Sequence, residues 1–255
     1  MNLYQYNTNE ISKRYLLTVG YYSLHIIEDY EVDDEIIALF DISTFDLPYG
    51  NTLILHVRYG VFIDTRTTKQ LMNEFYKLNA VGFATVKALF EILKMKHYLP
   101  FVHFYMAYMP MSGGSRGNTD WIALHLIRKF EVINGIVYVT TIYGHYFSMD
   151  FPKGDFEKRC HDVALLARAS FVFTQTLLKV GMCDITPPTE TGLLSKFDNC
   201  KCKYHLEMIL RMNNLQNMTA WLLKFMLLNI GLDKLEKIEH MKHYSQSLAR
   251  VKKLY

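Results

Sequence analysis

The chain is poor in cysteine, has no long apolar run and carries no recognisable catalytic signature, and each shortage narrows what it is. Four Cys among 255 residues are too few for the disulfide framework of a small secreted domain and fit a reducing compartment. The most apolar window, Met218 to Ile230, is about two-thirds of a bilayer span and includes Lys224 and Asn229, so it reads as a buried helix. Met1–Glu10 is polar and aromatic, without the basic stretch and apolar run of a secretory signal. The expectation is a soluble cytoplasmic protein with no membrane partner. No G-x-S-x-G, P-loop or G-x-G-x-x-G occurs, so no enzyme is expected.

What is present suits a well-filled core. Half of the residues are hydrophobic and 21% are charged, far from the composition of a disordered chain. Eighteen Tyr and sixteen Phe favour strands and broad packed surfaces. The net charge of +3 is unevenly spread: residues 1–64 carry three basic and ten acidic side chains, and residues 65–129 carry nine and three. A basic middle segment points to an anionic partner there, although solvated faces also carry runs of charge.

Residues 30–151 read as a β-rich, antiparallel body. Apolar and β-branched runs occur at Glu35–Phe40, Thr52–Arg58, Val61–Thr65, Phe101–Met109, Trp121–Lys129 and Gly135–Ile142. Turn residues separate them at Pro48–Asn51, Ser112–Asn118 and Asn134-Gly135, the last being the strongest hairpin signal. Within this region Leu71, Met72, Phe75 and Leu78 recur at helical spacing, predicting a short helix over Lys69–Leu78. Beyond Pro152 the pattern turns helical. Asp155 is a plausible N-cap, and Phe156, Cys160, Val163, Ala164, Ala167, Phe171 and Leu178 mark one long helix ended by Gly181. Asp184–Glu190 reads as a linker, and further helices are expected at Tyr204–Met212, Thr219–Ile230 and Asp233–Leu254. The fold class is α+β: a β-rich body followed by a helical C-terminal third. The boundaries expected are an N-terminal extension (1–29), a body (30–182) and a helical C-terminal extension (183–255).

Cys200-Lys201-Cys202-Lys203-Tyr204-His205, with Cys183 upstream, carries zinc's preferred donors. A single C-x-C with one His lacks a second paired ligand set, so the expectation is ordinary thiols, no metal site, no cofactor and no stoichiometric zinc. Lysines beside the thiols leave a reactive pair open, and a Cys200–Cys202 disulfide would be strained. His240 and His243 share a helical face without the Glu of a metalloprotease signature. Cys160 and His161 are neighbours on a helix, so their side chains diverge. The loop Ser112–Asn118 sets three Gly around Arg116. Such an arm either connects two strands or delivers one guanidinium to a phosphate or a narrow minor groove. Lys69, Lys77, Lys87, Lys94 and Lys96 interleave with Tyr76, Phe83, Phe90, His97 and Tyr98, a texture found in nucleic-acid-binding proteins and on ordinary strand faces alike.

These residues resemble the ComK family, the competence transcription factors of low-GC Gram-positive bacteria. Tyr30-Glu31-Val32 with Ile36-Ile37-Ala38 resembles the family's opening strand, and Lys69-Gln70-Leu71 followed by Gly82 its K-x-L and later Gly. Lys94-Met95-Lys96-His97 with Pro100-Phe101 resembles its basic strand, and Met109-Pro110 to Trp121-Ile122 its aromatic-Pro-Thr, loop and Trp-Ile. Ile142-Tyr143-Gly144 with Phe147 and Met149 resembles its next hairpin, and Phe156 to Phe171 its following helix. The chain departs from the family at Lys77-Leu78, where Ser-Cys is common, and at Met111, where Thr is expected. The resemblance spans about 150 residues and leaves out the first thirty and most of the chain beyond Gly181.

It implies an activator that binds AT-rich double-stranded DNA, mainly through the minor groove, as a dimer or higher oligomer, and that answers to a Clp protease adaptor. The DNA-binding residues expected are Lys69, Lys77, Lys87, Lys94, Lys96, Arg116, Arg128 and Lys129. The alternative is a diverged ComK-like regulator acting through protein contacts without specific DNA binding. The apolar Trp221, Leu222, Phe225, Met226 and Leu228 suggest that helices beyond Pro187 serve self-association.

Overall fold

The structure is a computed structural model that describes residues 11–212, except 28, 46, 79–81, 94, 96–97, 114–116 and 181. Among the described residues, eleven strands and five α-helices follow in the order β1 (Ile11–Ser12), α1 (Lys13–Tyr15), β2 (His25–Ile26), β3 (Ile36–Asp41), β4 (Thr52–His56), β5 (Gly60–Asp64), α2 (Thr68–Leu78), α3 (Gly82–Ile92), β6 (Phe101–His103), β7 (Met106–Pro110), β8 (Trp121–Ala123), β9 (Ile127–Ile133), β10 (Ile136–Thr141), β11 (Tyr146–Asp150), α4 (Phe156–Val180) and α5 (Lys203–Met212). A 3-10 helix, Gly192–Phe197, lies between α4 and α5.

Two sheets result. One has seven strands in the order β2-β5-β4-β3-β8-β7-β6, and the other has four in the order β1-β11-β10-β9. Every pairing between strands of residues 30–151 is antiparallel, so the α+β class with its antiparallel body holds. The two parallel pairings both use strands from before residue 30, β1 on β11 and β2 on β5. Ile11, Leu16 and Tyr21 are buried in the common core, so residues 11–21 contribute to the body's packing. β3, β4 and β5 are buried almost throughout, because apolar side chains on both faces of a central strand each remove surface from water.

Local chemistry accounts for the element ends. Asn134 (φ 50°) and Gly135 (φ 77°) form the two-residue turn that pairs Ile133 with Ile136, a turn that needs left-handed backbone at both positions. Helix α2 opens on a capping box: Thr67 Oγ1 accepts from the Gln70 N–H at 3.3 Å, and Gln70 Oε1 accepts from the Thr67 N–H at 2.8 Å. Asp155 caps α4, its carboxylate accepting from the Lys158 N–H at 3.0 Å. Arg159 on α4 is 7% exposed, donates to the Pro110 carbonyl at 2.7 Å and lies over the Tyr98 and Phe151 rings. Burial lowers its pKa.

Three runs divide differently from the sequence reading. Phe101–Met109 is a tight hairpin, β6–β7, turning at Phe104 with φ 53°. Trp121–Lys129 is broken by a 3-10 turn at Leu124–Leu126, which carries the chain from one sheet to the other. Residues 82–92 form helix α3, in a region expected to be β-rich apart from the helix over Lys69–Leu78. The helices expected at Thr219–Ile230 and Asp233–Leu254 lie outside the described residues, as do Trp221 and its apolar neighbours. Leu193, Leu194 and Phe197 pack in the core, so a cut at Pro187 would remove core residues as well as α5. Among the described residues no helix is long and apolar enough to cross a membrane.

Candidate functional site

Lys69, Lys77, Lys87, Arg128 and Lys129 fall on three elements. Lys69 and Lys77 are exposed on α2, Lys87 is half-buried on α3, and Arg128 and Lys129 are exposed at the start of β9. Arg128 donates to the Ile142 carbonyl at 2.7 Å. Lys94, Lys96 and Arg116 lie outside the described residues. The structure does bring α2 beside the Gly-rich loop. A cleft of about 410 Å³ is lined by Lys69, Asn73 and Tyr76 of α2, by Tyr98, and by Gly117, Asn118 and Trp121. The loop's end is fixed from below: Asn118 donates to Ser43 Oγ at 3.0 Å, and Thr119 Oγ1 lies 2.8 Å from Ser112 Oγ. Asp120 behind it accepts from Lys13 Nζ and from the Asp41 N–H, both at 2.7 Å, while burial pushes its carboxyl pKa up. Arg66, a basic residue near this face, is engaged by Asp64 and Glu74.

A second constellation joins α4 to α5. His161 in the second turn of α4, Cys200 and Cys202 after the 3-10 helix, and His205 in the first turn of α5 present four donor atoms within 4.8 Å of one another. His161 Nε2 is 3.5 Å from Cys200 Sγ and 3.3 Å from Cys202 Sγ, and His205 Nδ1 is 3.3 Å from Cys202 Sγ. The His161 ring meets Phe197 and His205 edge-on. His205 is 1% exposed. Burial, with His161 and Arg168 nearby, brings its pKa down to about 4, which keeps the imidazole neutral. Gly192 lets the start of the 3-10 helix pack against the backbone of Leu124 and His125. Its backbone has φ 55°, and a Cβ there would sit 2.5 Å from the His125 carbonyl oxygen, so only Gly lets the 3-10 helix lie this close.

Sequence spacing placed Cys200, Cys202 and His205 together as candidate donors, with Cys183 as the possible fourth, and expected ordinary thiols; the structure brings the three together with His161 instead. Cys183 is exposed and stands outside the group. His161, 39 residues before Cys200, is the residue missed. Its signal was its place beside Cys160: the thiol of Cys160 is buried in the core, which turns His161 to the helix's other side. His240 and His243 lie outside the described residues.

Asp33, Glu35 and His56 form another cluster of possible ligands, with His56 Nε2 3.0 Å from Asp33 Oδ1. Here the donors are already engaged. His56 Nδ1 accepts from the backbone N–H groups of Arg58 and Tyr59 at 3.0 and 3.3 Å, which leaves Nε2 as the N–H that donates to Asp33. Arg58 pairs with Glu35. Burial works to raise the Asp33 pKa, but the His56 bond and the Glu35 N–H outweigh it and hold the carboxyl below its ordinary value. No protein-family model, curated protein or solved structure matches this chain.

Proposed function

We propose that this chain is a DNA-binding transcriptional regulator of the kind its resemblance to the competence factors implies, contacting AT-rich duplex DNA with the face formed by α2 and the Gly-rich loop. One observation carries the reading: Lys69 and the end of the loop that bears Arg116 line one cleft with Tyr76, Tyr98 and Trp121. Lys77 adds a second exposed ammonium to the same helix. Lysines at phosphates supply affinity irrespective of sequence, whereas a guanidinium in a narrow minor groove reads shape.

Fluorescence anisotropy against AT-rich and GC-rich duplexes at two salt concentrations tests this. Lys69→Gln weakens binding to both duplexes alike and reduces the log–log salt slope by about one per lost contact. Arg116→Ala costs roughly 1–3 kcal/mol on AT-rich sites and much less on GC-rich ones. Wild-type protein that binds neither duplex in a salt-dependent way would remove the reading.

A further inference from the structure

We propose that His161, Cys200, Cys202 and His205 form a structural zinc site that fastens α5 to α4. The donor set is two thiols and two imidazoles, one of the sets that zinc takes in closed structural sites. Zinc–sulfur bonds of about 2.3 Å and zinc–nitrogen bonds of about 2.0–2.1 Å at tetrahedral angles separate neighbouring ligand atoms by roughly 3.3–3.8 Å. Three of the four nitrogen–sulfur separations here are 3.3, 3.3 and 3.5 Å, the length of such tetrahedral edges, and all four donor atoms lie within 4.8 Å of one another. Thiol–imidazole hydrogen bonding alone does not explain the convergence. His161 Nε2 faces two Sγ atoms at once, and its single lone pair accepts from only one.

The surroundings fit a cation. His161 Nδ1 points away from the thiols toward Asp162 Oδ1, 3.5 Å off, the carboxylate–histidine arrangement that orients a metal-binding imidazole. Binding releases one proton from each thiol to solvent as its Zn–S bond forms. Two thiolates then neutralise the dication, which lowers the cost of holding it beside the buried His205. Four protein ligands leave no open position, so the site holds structure and activates no water. It spans 39 residues of chain from His161 to Cys200 and ties the exposed stretch that contains Pro187 and Pro188 at both ends. The proposal stands on this geometry and is independent of DNA binding.

The test uses the full chain, reduced, with zinc and cobalt alone as probes. Elemental analysis is expected to give about one zinc per chain. Cobalt in its place should show the intense visible bands of tetrahedral coordination and a near-ultraviolet thiolate-to-cobalt band. Cys183→Ser should leave both unchanged. Cys202→Ser should abolish the stoichiometric metal. His161→Cys, which keeps a donor at the fourth position, should retain one cobalt with a stronger thiolate band, so the assignment does not depend on a variant that fails to fold. Wild-type protein that retains no zinc and gives no tetrahedral cobalt spectrum would overturn the site. So would loss of metal in Cys183→Ser with retention in His161→Ala.

Discussion

Asp33 with His56, and His161 with Cys200, Cys202 and His205, are both groups of metal-capable side chains held against the same core, yet their lone pairs have different fates. In the first, both ring nitrogens of His56 are engaged, one by two backbone amides and the other by a carboxylate. The imidazole fastens the end of β4 to the segment before β3. In the second, two thiols and two ring nitrogens face one another across the α4–α5 junction. The difference teaches that residue type and proximity do not distinguish a hydrogen-bonded core histidine from a ligand. What decides is whether backbone groups have already taken the donor atoms.

The largest expected effect comes from that contrast. A site that binds zinc only when folded stabilises the protein by RT ln(1 + [Zn]/Kd), about 4 kcal/mol at a free zinc concentration roughly 1,000 times Kd. Urea titrations of zinc-loaded and chelated full chain should differ by an amount of this order, and Cys202→Ser should erase the difference. Asp33→Ala should act in the opposite manner. Stripping the carboxylate leaves the buried Nε2–H of His56 without its acceptor, at a cost of about 1–3 kcal/mol whether or not metal is present. A metal-dependent loss in Asp33→Ala would break the comparison.

A smaller effect comes from His125. It accepts the Ala107 N–H on Nδ1 at 3.2 Å and sets Nε2 3.4 Å from the Asp34 carbonyl, a neutral tautomer. Burial lowers its pKa, against the raising effect of the Ala107 carbonyl, 3.3 Å from Nδ1, and of the Asp34 carbonyl. The unfolded chain therefore binds a proton more readily than the folded one. This contribution is complete above the ordinary histidine pKa of about 6.5 and is lost as pH falls from there through the folded value. His125→Gln should flatten the decline in urea midpoint between pH 7.5 and 5.5 relative to wild type, with both proteins zinc-loaded. An unchanged slope would assign the decline to other groups.

The fold was legible where one local signal sufficed. Asn134-Gly135 needs left-handed backbone at two consecutive residues, and Asp155 can cap a helix that follows it. The structure has both. Strand runs blurred where a turn used ordinary residues: Phe104 takes positive φ without being Gly or Asn, so Phe101–Met109 read as one strand. The site was half legible. Cys202 and His205 sit three apart at a helix start, a spacing visible in sequence. His161 meets them only because α4 and the 3-10 helix pack together. Nearness in sequence favoured Cys183, which lies past the end of α4 and faces solvent. Lys69 and the Gly-rich loop were each visible alone; their meeting in one cleft depends on how α2 sits on the seven-stranded sheet.

Hydrogen exchange with and without a zinc chelator tests the contrast between the two groups most directly. Chelation should raise amide exchange across the 3-10 helix Gly192–Phe197 and the start of α5. It should leave β3, β4 and the amides of Arg58 and Tyr59 that bind His56 as protected as before. Exchange unchanged in 192–205 on removal of zinc, or loosened equally around His56, would contradict the account.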